Sequence, residues 1–128
     1  MLQRRKALIV EDLGVHQAAI KFQLLLYGYD CDIANNGLEG IEKVKRLFYE
    51  LIFSDIEMPV MNGYEFLTRV KRLNEYQKVP VVMLSSLNKP NDIDRAYKLG
   101  ASGYIVKPFS NQAVAEALAK IGIQRVKY

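Results

Sequence analysis

Five side chains that could bind a metal ion and a phosphoryl group follow short apolar runs in this sequence. They are Glu11, Asp12, Asp55, Ser85 and Lys107, which come after the apolar runs at 7–10, 51–54, 81–84 and 104–106. Carboxylates are preferred ligands of small divalent cations, and a carboxylate can also accept a phosphoryl group as an acyl phosphate. A hydroxyl and an ammonium group could bind the phosphoryl oxygens. These residue types indicate acyl-phosphate chemistry, provided that the fold brings them together.

The elements predicted between these residues would bring them together at one edge of a sheet. Apolar runs separated by helix-period segments are typical of buried parallel strands. We predict strands at 6–10, 29–34, 51–54, 79–84 and 103–106. The predicted fold class is α/β, a doubly wound five-stranded parallel sheet with helices on both faces. In such a sheet the carboxyl ends of the strands share one edge, where ligands bind.

Capping residues and apolar spacing predict the helices. The first helix covers 15–27 and ends at Gly28, which suits the left-handed position that closes a helix. The later helices are predicted to start at the Asn35-Asn36-Gly37 turn, Asn62, Pro90 and Ser110. In the second helix, Ile41, Val44 and Phe48 give one helical face.

These residues form a pattern that resembles a known family, the receiver domains of two-component response regulators. The matching motifs, in chain order, are Glu11-Asp12, Asp55-Ile56-Glu57-Met58-Pro59, Met61-Asn62-Gly63, Ser85-Ser86, Tyr104 and Lys107-Pro108-Phe109. Each motif is weak alone, but their order at the ends of alternating strands makes the match specific. The resemblance extends from residue 7 to residue 121. It implies one receiver domain over 1–128 with the flavodoxin-like (βα)5 fold.

The resemblance implies that Asp55 is the phosphoacceptor and that a Mg²⁺ (or Mn²⁺) ion is the cofactor. Asp12 and Asp55 would bind the ion directly. Glu57 would offer its backbone carbonyl, and Glu11 would act through water. Many members carry Asp at the position of Glu11, so we expect a metal affinity that is altered but retained. Phosphoryl transfer depends mainly on in-line geometry and charge neutralisation, much of which the ion would supply.

The same resemblance implies roles for residues near the ends of the fourth and fifth strands. Lys107 would pair with the phosphoacceptor and then with a phosphoryl oxygen, and the Lys107–Pro108 peptide would be cis. Gly63 would let the loop after the phosphoacceptor turn tightly. Ser85 would donate a hydrogen bond to the phosphoryl group. The Tyr104 ring would then swing inward and alter the face formed by the fourth helix, fifth strand and fifth helix.

Two further positions predict a slow spontaneous loss of the phosphoryl group. Glu57 lies two residues beyond Asp55, and Leu87 lies two residues beyond Ser85. In the family, these positions flank the route by which water reaches the acyl phosphate. An anionic Glu57 and an apolar Leu87 would orient a water molecule poorly, so we expect a long phosphoryl lifetime.

Composition limits the compartment and the partners. The chain has 128 residues, a net charge of +4, and one cysteine, Cys31, which we expect to be a buried thiol. A chain that cannot form an internal disulfide and has no apolar stretch of about twenty residues is expected in the cytoplasm and outside the membrane. We expect His16 to be an exposed helix residue. No recognition helix or stacking aromatic platform is visible, so we expect no nucleic acid to bind this domain itself.

The resemblance implies a signalling switch and no free-standing enzyme. The phosphoryl donor would be a sensor histidine kinase or a histidine phosphotransfer protein, and the recipient of the signal would be a downstream protein. The resemblance is also compatible with a homodimer that forms on phosphorylation. The start at Met1 favours a stand-alone regulator over a module of a hybrid kinase or longer regulator.

Three other functions stay open from the residues alone. A phosphohydrolase could use an aspartyl phosphate. Such an enzyme would need a second acid two residues after the nucleophile and a larger region that covers the substrate. Glu57 occupies that position, but its longer side chain is a poor substitute. A nucleotide- or flavin-binding domain would want a glycine-rich loop after the first strand, where Glu11 and Asp12 stand instead. A pseudo-receiver would bind partners without phosphorylation, which the intact residue set disfavours.

Overall fold

The computed structural model describes residues 5–126, in which strands and helices alternate. The strands are β1 (Arg5–Val10), β2 (Tyr29–Ala34), β3 (Leu51–Asp55), β4 (Val81–Ser85) and β5 (Gly103–Val106). The helices are α1 (Gly14–Leu25), α2 (Gly37–Arg46), α3 (Gly63–Lys71), α4 (Pro90–Lys98) and α5 (Asn111–Lys120), and a short 3-10 helix at Asn74–Tyr76 precedes β4. The predicted single domain over 1–128 also includes 1–4 and 127–128, which lie outside the described residues.

The five strands form one parallel sheet in the order β2-β1-β3-β4-β5. The chain therefore winds outward from β1 in one direction to β2 and in the other direction through β3, β4 and β5. The order reverses between β1 and β3, and this switch point opens a crevice at the carboxyl edge of an α/β sheet. The predicted fold class, a doubly wound five-stranded parallel sheet, is confirmed.

Both faces of the sheet are covered by apolar side chains. Successive residues of a strand point to opposite faces, so Ile52 and Phe53 in β3 belong to different halves of the core. On one face, buried residues from α2, α3 and the 3-10 helix include Val44, Phe66, Leu67 and Tyr76. On the other face, α1 and α5 contribute Ile20, Leu24, Val114 and Leu118. The central strands are thus packed between two apolar layers, which fix the positions of the residues at the strand ends.

Local signals place the helix starts correctly, but one apolar residue was assigned wrongly. The side chains of Asn36, Asn62 and Ser110 each accept a hydrogen bond from a backbone N–H three residues on, which confirms the predicted caps. The prediction that Phe48 belongs to the apolar face of α2 is wrong. The helix ends at Arg46, and Phe48 is 52% exposed with its ring against Tyr76 at 5.2 Å between centroids.

Composition predicts a buried thiol at Cys31 and a chain outside the membrane. Cys31 is half-buried in β2, and burial raises the pKa of its thiol to about 12. A thiol with so high a pKa is almost never ionised near neutral pH and is therefore a poor nucleophile. Among residues 5–126, no helix has the length and apolar character that a membrane span requires.

Candidate functional site

The carboxyl ends of β1 and β3 bring three carboxylates into one cluster. Glu11 directly follows β1, and Asp55 is the last residue of β3. Glu11, Asp12 and Asp55 each offer a carboxylate oxygen, and these oxygens lie within 4.8 Å of one another. Glu11 is 0% exposed and Asp55 is 3% exposed, whereas Asp12 faces solvent. Oxygen donors of this kind are what Mg²⁺ prefers, and a site open on one side lets the ion keep several waters. The donor set therefore fits the expected ion.

Lys107 neutralises the buried part of this carboxylate cluster. Its ammonium nitrogen lies 3.0 Å from Glu11 Oε1 and 3.1 Å from Asp55 Oδ1. Lys107 follows β5, and its backbone N–H donates to the Ser85 carbonyl oxygen at 2.8 Å. The Lys107–Pro108 peptide is cis. One ammonium group thus bridges both carboxylates and stands where it could contact a group bonded to Asp55.

His16 belongs to this site, and the prediction that it is merely an exposed helix residue is wrong. Its Nδ1 lies 2.6 Å from Glu11 Oε1, and its side chain is only 25% exposed. The imidazole ring packs on Phe109 at 5.6 Å between centroids. A lone histidine has no spacing pattern to reveal it. The available signal was its place in the first turn of α1, directly after the Glu11-Asp12 loop.

The two buried carboxyl groups have opposite pKa shifts. Burial raises the pKa of Asp55 to about 7, with a further contribution from the hydrogen bond and negative charge of Glu11 and an opposing one from Lys107. Burial alone would raise the pKa of Glu11 as well, but hydrogen bonds from Lys107, Asp55 and His16 outweigh it and lower the pKa. Two adjacent carboxylates cannot both be charged cheaply without a cation. In the absence of metal, Asp55 is therefore the group that keeps a proton.

This shift predicts how the metal-free fold responds to pH. The pKa of Asp55 is about 7 in the folded chain against an ordinary value of 3.8, so the folded state holds a proton that the unfolded state has lost. Ionisation of Asp55 therefore destabilises the fold progressively as the pH rises from about 4 to about 7. Asp55→Asn removes this titration. We measure the free energy of unfolding of both proteins with urea in EDTA. The value for the variant minus the value for wild type is expected to be greater at about pH 8 than at about pH 4. An equal difference at both pH values would contradict the shift.

Ser85 is the last residue of β4, and its hydroxyl is bonded to Glu57. Ser85 is 0% exposed, and its Oγ donates to Glu57 Oε1 at 2.8 Å. The Ser86 hydroxyl donates to the same oxygen at 2.8 Å. In return, Ser85 Oγ accepts the backbone N–H of Leu87 at 2.9 Å. The acidic side chain expected only to affect water access thus binds two hydroxyl groups, a contact that sequence reasoning missed.

Tyr104 is half-buried on β5 and is tied to the loop that follows β4. Its hydroxyl donates to the Leu87 carbonyl oxygen at 2.7 Å, and its ring packs against the core beside the half-buried Leu87. The ring is therefore already in an inward position while Ser85 is bonded to Glu57, which differs from the expectation that it swings inward after phosphorylation. The side chains of Ser85 and Tyr104 are both hydrogen-bonded to the backbone of Leu87, one to its N–H and the other to its carbonyl oxygen, so this residue connects the site with the surface.

The loop after Asp55 turns back tightly against its own strand. The Gly63 N–H donates to the Ile56 carbonyl oxygen at 2.8 Å. A Cβ at Gly63 would overlap the Asp55 carbonyl oxygen and lie 2.7 Å from Ile56 Cα. In the same loop, Val60 has a φ of 71°, which is strained for a β-branched residue. Close backbone packing at Gly63 therefore helps to hold Asp55 at the sheet edge.

The geometry agrees with comparisons to known proteins. Residues 7–119 match the family model of the response regulator receiver domain. Chemotaxis protein CheY of Thermotoga maritima is 32% identical over 118 residues, which are 91% of this chain and 97% of that protein. The chain spans about half the length of some curated relatives: ycf29 of Porphyra purpurea, a probable transcriptional regulator, is 32% identical, with 89% of this chain and 54% of that protein covered.

Solved structures show the same fold. CheY4 of Vibrio cholerae superposes with a TM-score of 0.86 at 29% identity and covers 93% of this chain and 99% of that one. The receiver domain of sensor histidine kinase PA1611 from Pseudomonas aeruginosa, solved with a magnesium ion in its active-site cleft, has a TM-score of 0.81 at 25% identity, with 94% of this chain and 99% of that one covered. This chain belongs to the receiver domain family of two-component response regulators.

Proposed function

We propose that this receiver domain is a switch that accepts a phosphoryl group on Asp55 from a phosphohistidine donor. The observation that carries the proposal is the position of the Asp55 carboxylate, at the sheet edge with the Lys107 ammonium at 3.1 Å. Glu11 and Asp12 complete a carboxylate cluster that suits a divalent cation beside it. A nucleophile, a cation site and a fixed positive charge are the parts that phosphoryl transfer to an aspartate requires.

Each residue has a separate task in the proposed transfer. An oxygen of Asp55 attacks phosphorus, the O–P bond forms, and the P–N bond to the donor histidine breaks, so the imidazole leaves with the bonding electron pair and is protonated from solvent. Lys107 stabilises the negative charge on a phosphoryl oxygen. Asp12, Asp55 and the Glu57 carbonyl would hold Mg²⁺ (or Mn²⁺), with Glu11 acting through water. The ion supplies charge neutralisation for the phosphoryl oxygens.

The proposed output is a change in the face formed by α4, β5 and α5. A groove of about 290 Å³ lies there, lined among others by Tyr97, Tyr104, Ala117 and Lys120. Phosphorylation would draw the Ser85 hydroxyl to a phosphoryl oxygen and shift the loop that carries Leu87, to which Tyr104 is bonded. The downstream protein, or a second copy of the domain, would distinguish the two states of this face.

The donor and the cellular setting are also proposals. A sensor histidine kinase or histidine phosphotransfer protein would supply the phosphoryl group in the cytoplasm. The relatives include both a protein that this chain nearly covers, CheY of Thermotoga maritima at 97%, and hybrid signal transduction histidine kinase F of Dictyostelium discoideum, of which it covers 11%. We propose a signalling role in either setting.

Transfer from a phosphorylated histidine phosphotransfer domain to this chain tests the proposal. With Mg²⁺ present, we expect the label to leave the donor and appear on this chain, and we expect Asp55→Asn to receive none. A donor that keeps its label with wild type, while it passes the label to an established receiver domain, would contradict the proposed donor class.

The phosphoryl lifetime is expected to depend on Glu57 and Leu87. The Glu57 carboxylate is bonded to the hydroxyls of Ser85 and Ser86, and Leu87 is an apolar residue half-buried against the core, so neither side chain is suited to orient an attacking water. Replacing Leu87 with Glu, or Glu57 with Asn, would supply a group that can bind such a water. We expect either change to shorten the lifetime roughly tenfold, which is below the full effect of a positioned acid–base group. Loss of label over time measures it, and an unchanged lifetime in both variants would refute the assignment.

A further inference from the structure

We propose that Glu57 is a positioning residue that holds the Ser85 hydroxyl in the resting domain, so that phosphorylation must take this hydroxyl from one acceptor to another. The inference rests on the proposed function, since it concerns how the same site changes state. It assigns to the Glu57 side chain a task separate from its backbone carbonyl and from any effect on water.

The hydrogen bonds of Glu57 join the loop after β3 to the end of β4. Both serine hydroxyls donate to one carboxylate oxygen, each at 2.8 Å. Glu57 is on the exposed side of the site, yet this oxygen binds Ser85, which is fully buried, and Ser86, which is exposed. Hydrogen bonds to a carboxylate are charge-assisted, and such bonds are stronger than neutral ones.

The Ser85 hydroxyl cannot serve two acceptors at once. A serine hydroxyl has one proton to donate. While this proton is bonded to Glu57, it is not available to an oxygen of a phosphoryl group on Asp55. Activation therefore exchanges one anionic acceptor for another. The phosphoryl group has the larger negative charge and three acceptor oxygens, so it can win the exchange. The stronger the hydrogen bond to Glu57, the less free energy remains from the exchange to drive the change of state.

The exchange is connected to the surface through Leu87. The Leu87 N–H donates to Ser85 Oγ at 2.9 Å, and the Leu87 carbonyl oxygen accepts from the Tyr104 hydroxyl at 2.7 Å. A movement of Ser85 away from Glu57 must therefore alter the environment of the Leu87 N–H, and with it the backbone to which Tyr104 is bonded. Ser86 can stay bonded to Glu57 during this movement, so the carboxylate is not left without a donor.

A double-mutant cycle with a phosphoryl mimic tests the proposal. The probe is beryllofluoride with saturating Mg²⁺, and its affinity is measured for wild type, Glu57→Met, Ser85→Ala and the double variant. Methionine keeps the length of Glu57 and removes its acceptor oxygens. Because a hydrogen bond to a charged group contributes more than a neutral one, we expect Glu57→Met to raise the affinity roughly tenfold in the presence of Ser85.

The Ser85→Ala background separates the hydrogen bond from the charge of Glu57. Removing a negative charge can favour an anion by itself, and that effect persists without the serine hydroxyl. We expect Glu57→Met to change the affinity less than about threefold when Ser85 is alanine, so that the cycle shows coupling. Ser86→Ala is the matched control, because it removes the other donor from the same Glu57 oxygen. We expect it to shift the affinity much less than Glu57→Met.

The NMR signal of the Leu87 amide is a second measurement, in which the Glu57→Met variant itself carries no mimic. In the resting domain, we expect Glu57→Met to move this signal toward its position in beryllofluoride-bound wild type, because Ser85 is released. Equal effects of Glu57→Met with and without the serine, or an unmoved Leu87 signal, would overturn this inference and leave the proposed function standing. A folded wild type that binds no beryllofluoride would overturn the proposed function and this inference with it.

Discussion

Replacing Lys107 with methionine is expected to slow phosphorylation of Asp55 at least about 100-fold, the typical effect of removing one group that stabilises developing charge. Methionine has a similar length but no charge. Without the ammonium group that lies 3.0 Å from Glu11 and 3.1 Å from Asp55, the two carboxylates face each other unneutralised. Asp55 would then keep its proton to higher pH and be a weaker nucleophile, and the phosphoryl oxygens would lose a partner.

The initial rate with a small acyl-phosphate donor and saturating Mg²⁺ measures this effect. Lys120→Met is the matched control, since Lys120 is an exposed residue at the end of α5. Its rate should stay within about threefold of wild type, as expected for a surface change away from the site. A Lys107→Met rate as close to wild type as that of the control would show that the ammonium group is not needed for transfer.

Replacing Gly63 with alanine is expected to destabilise the domain by about 3 kcal/mol, the upper part of the usual range for overpacking. The added Cβ would overlap the carbonyl oxygen of Asp55 and lie 2.7 Å from Ile56 Cα. These are backbone atoms, which cannot rotate away as the end of a flexible side chain could. The loop must therefore move away from the strand, and Asp55 must move with it. We expect both the free energy of unfolding and the phosphorylation rate to fall.

Gly14→Ala provides the comparison within the same chain. Gly14 is the first residue of α1, and a Cβ there would meet no atom within 4 Å. Alanine at such a position is expected to be neutral or to stabilise by about 0.5 kcal/mol. Urea unfolding of both variants measures the contrast. Similar stabilities for Gly63→Ala and Gly14→Ala would contradict the close packing at Asp55.

The fold was predictable from the sequence because its signals are local and repeated. Four of the apolar runs end in polar residues, and caps such as Asn62 and Ser110 mark helix starts by a bond within one turn. Phe48 was misassigned because apolar spacing continued past the true end of α2. There the helix ends at Arg46, and the ring finds Tyr76 from a distant part of the chain. Such a contact depends on tertiary packing, which spacing does not encode.

Most residues of the candidate site were predictable, but His16 and the contacts between the side chains were not. The order of the strands brings Asp55 and Lys107 together, because each stands at the carboxyl end of a parallel strand. The contact of His16 with Glu11, and that of Ser85 with Glu57, join segments whose separation is set by loop conformation and side-chain rotamers. The motif pattern names Ser85 as a donor, but only the structure shows the acceptor that it has in this state.

The most direct test of the central claim is the intact mass of the protein after incubation with Mg²⁺ and a small acyl-phosphate donor. We predict one added phosphoryl group that requires Mg²⁺ and is absent from Asp55→Asn. A folded wild type that gains no mass and binds no beryllofluoride would contradict the claim, and would instead favour a domain that binds its partners without phosphorylation.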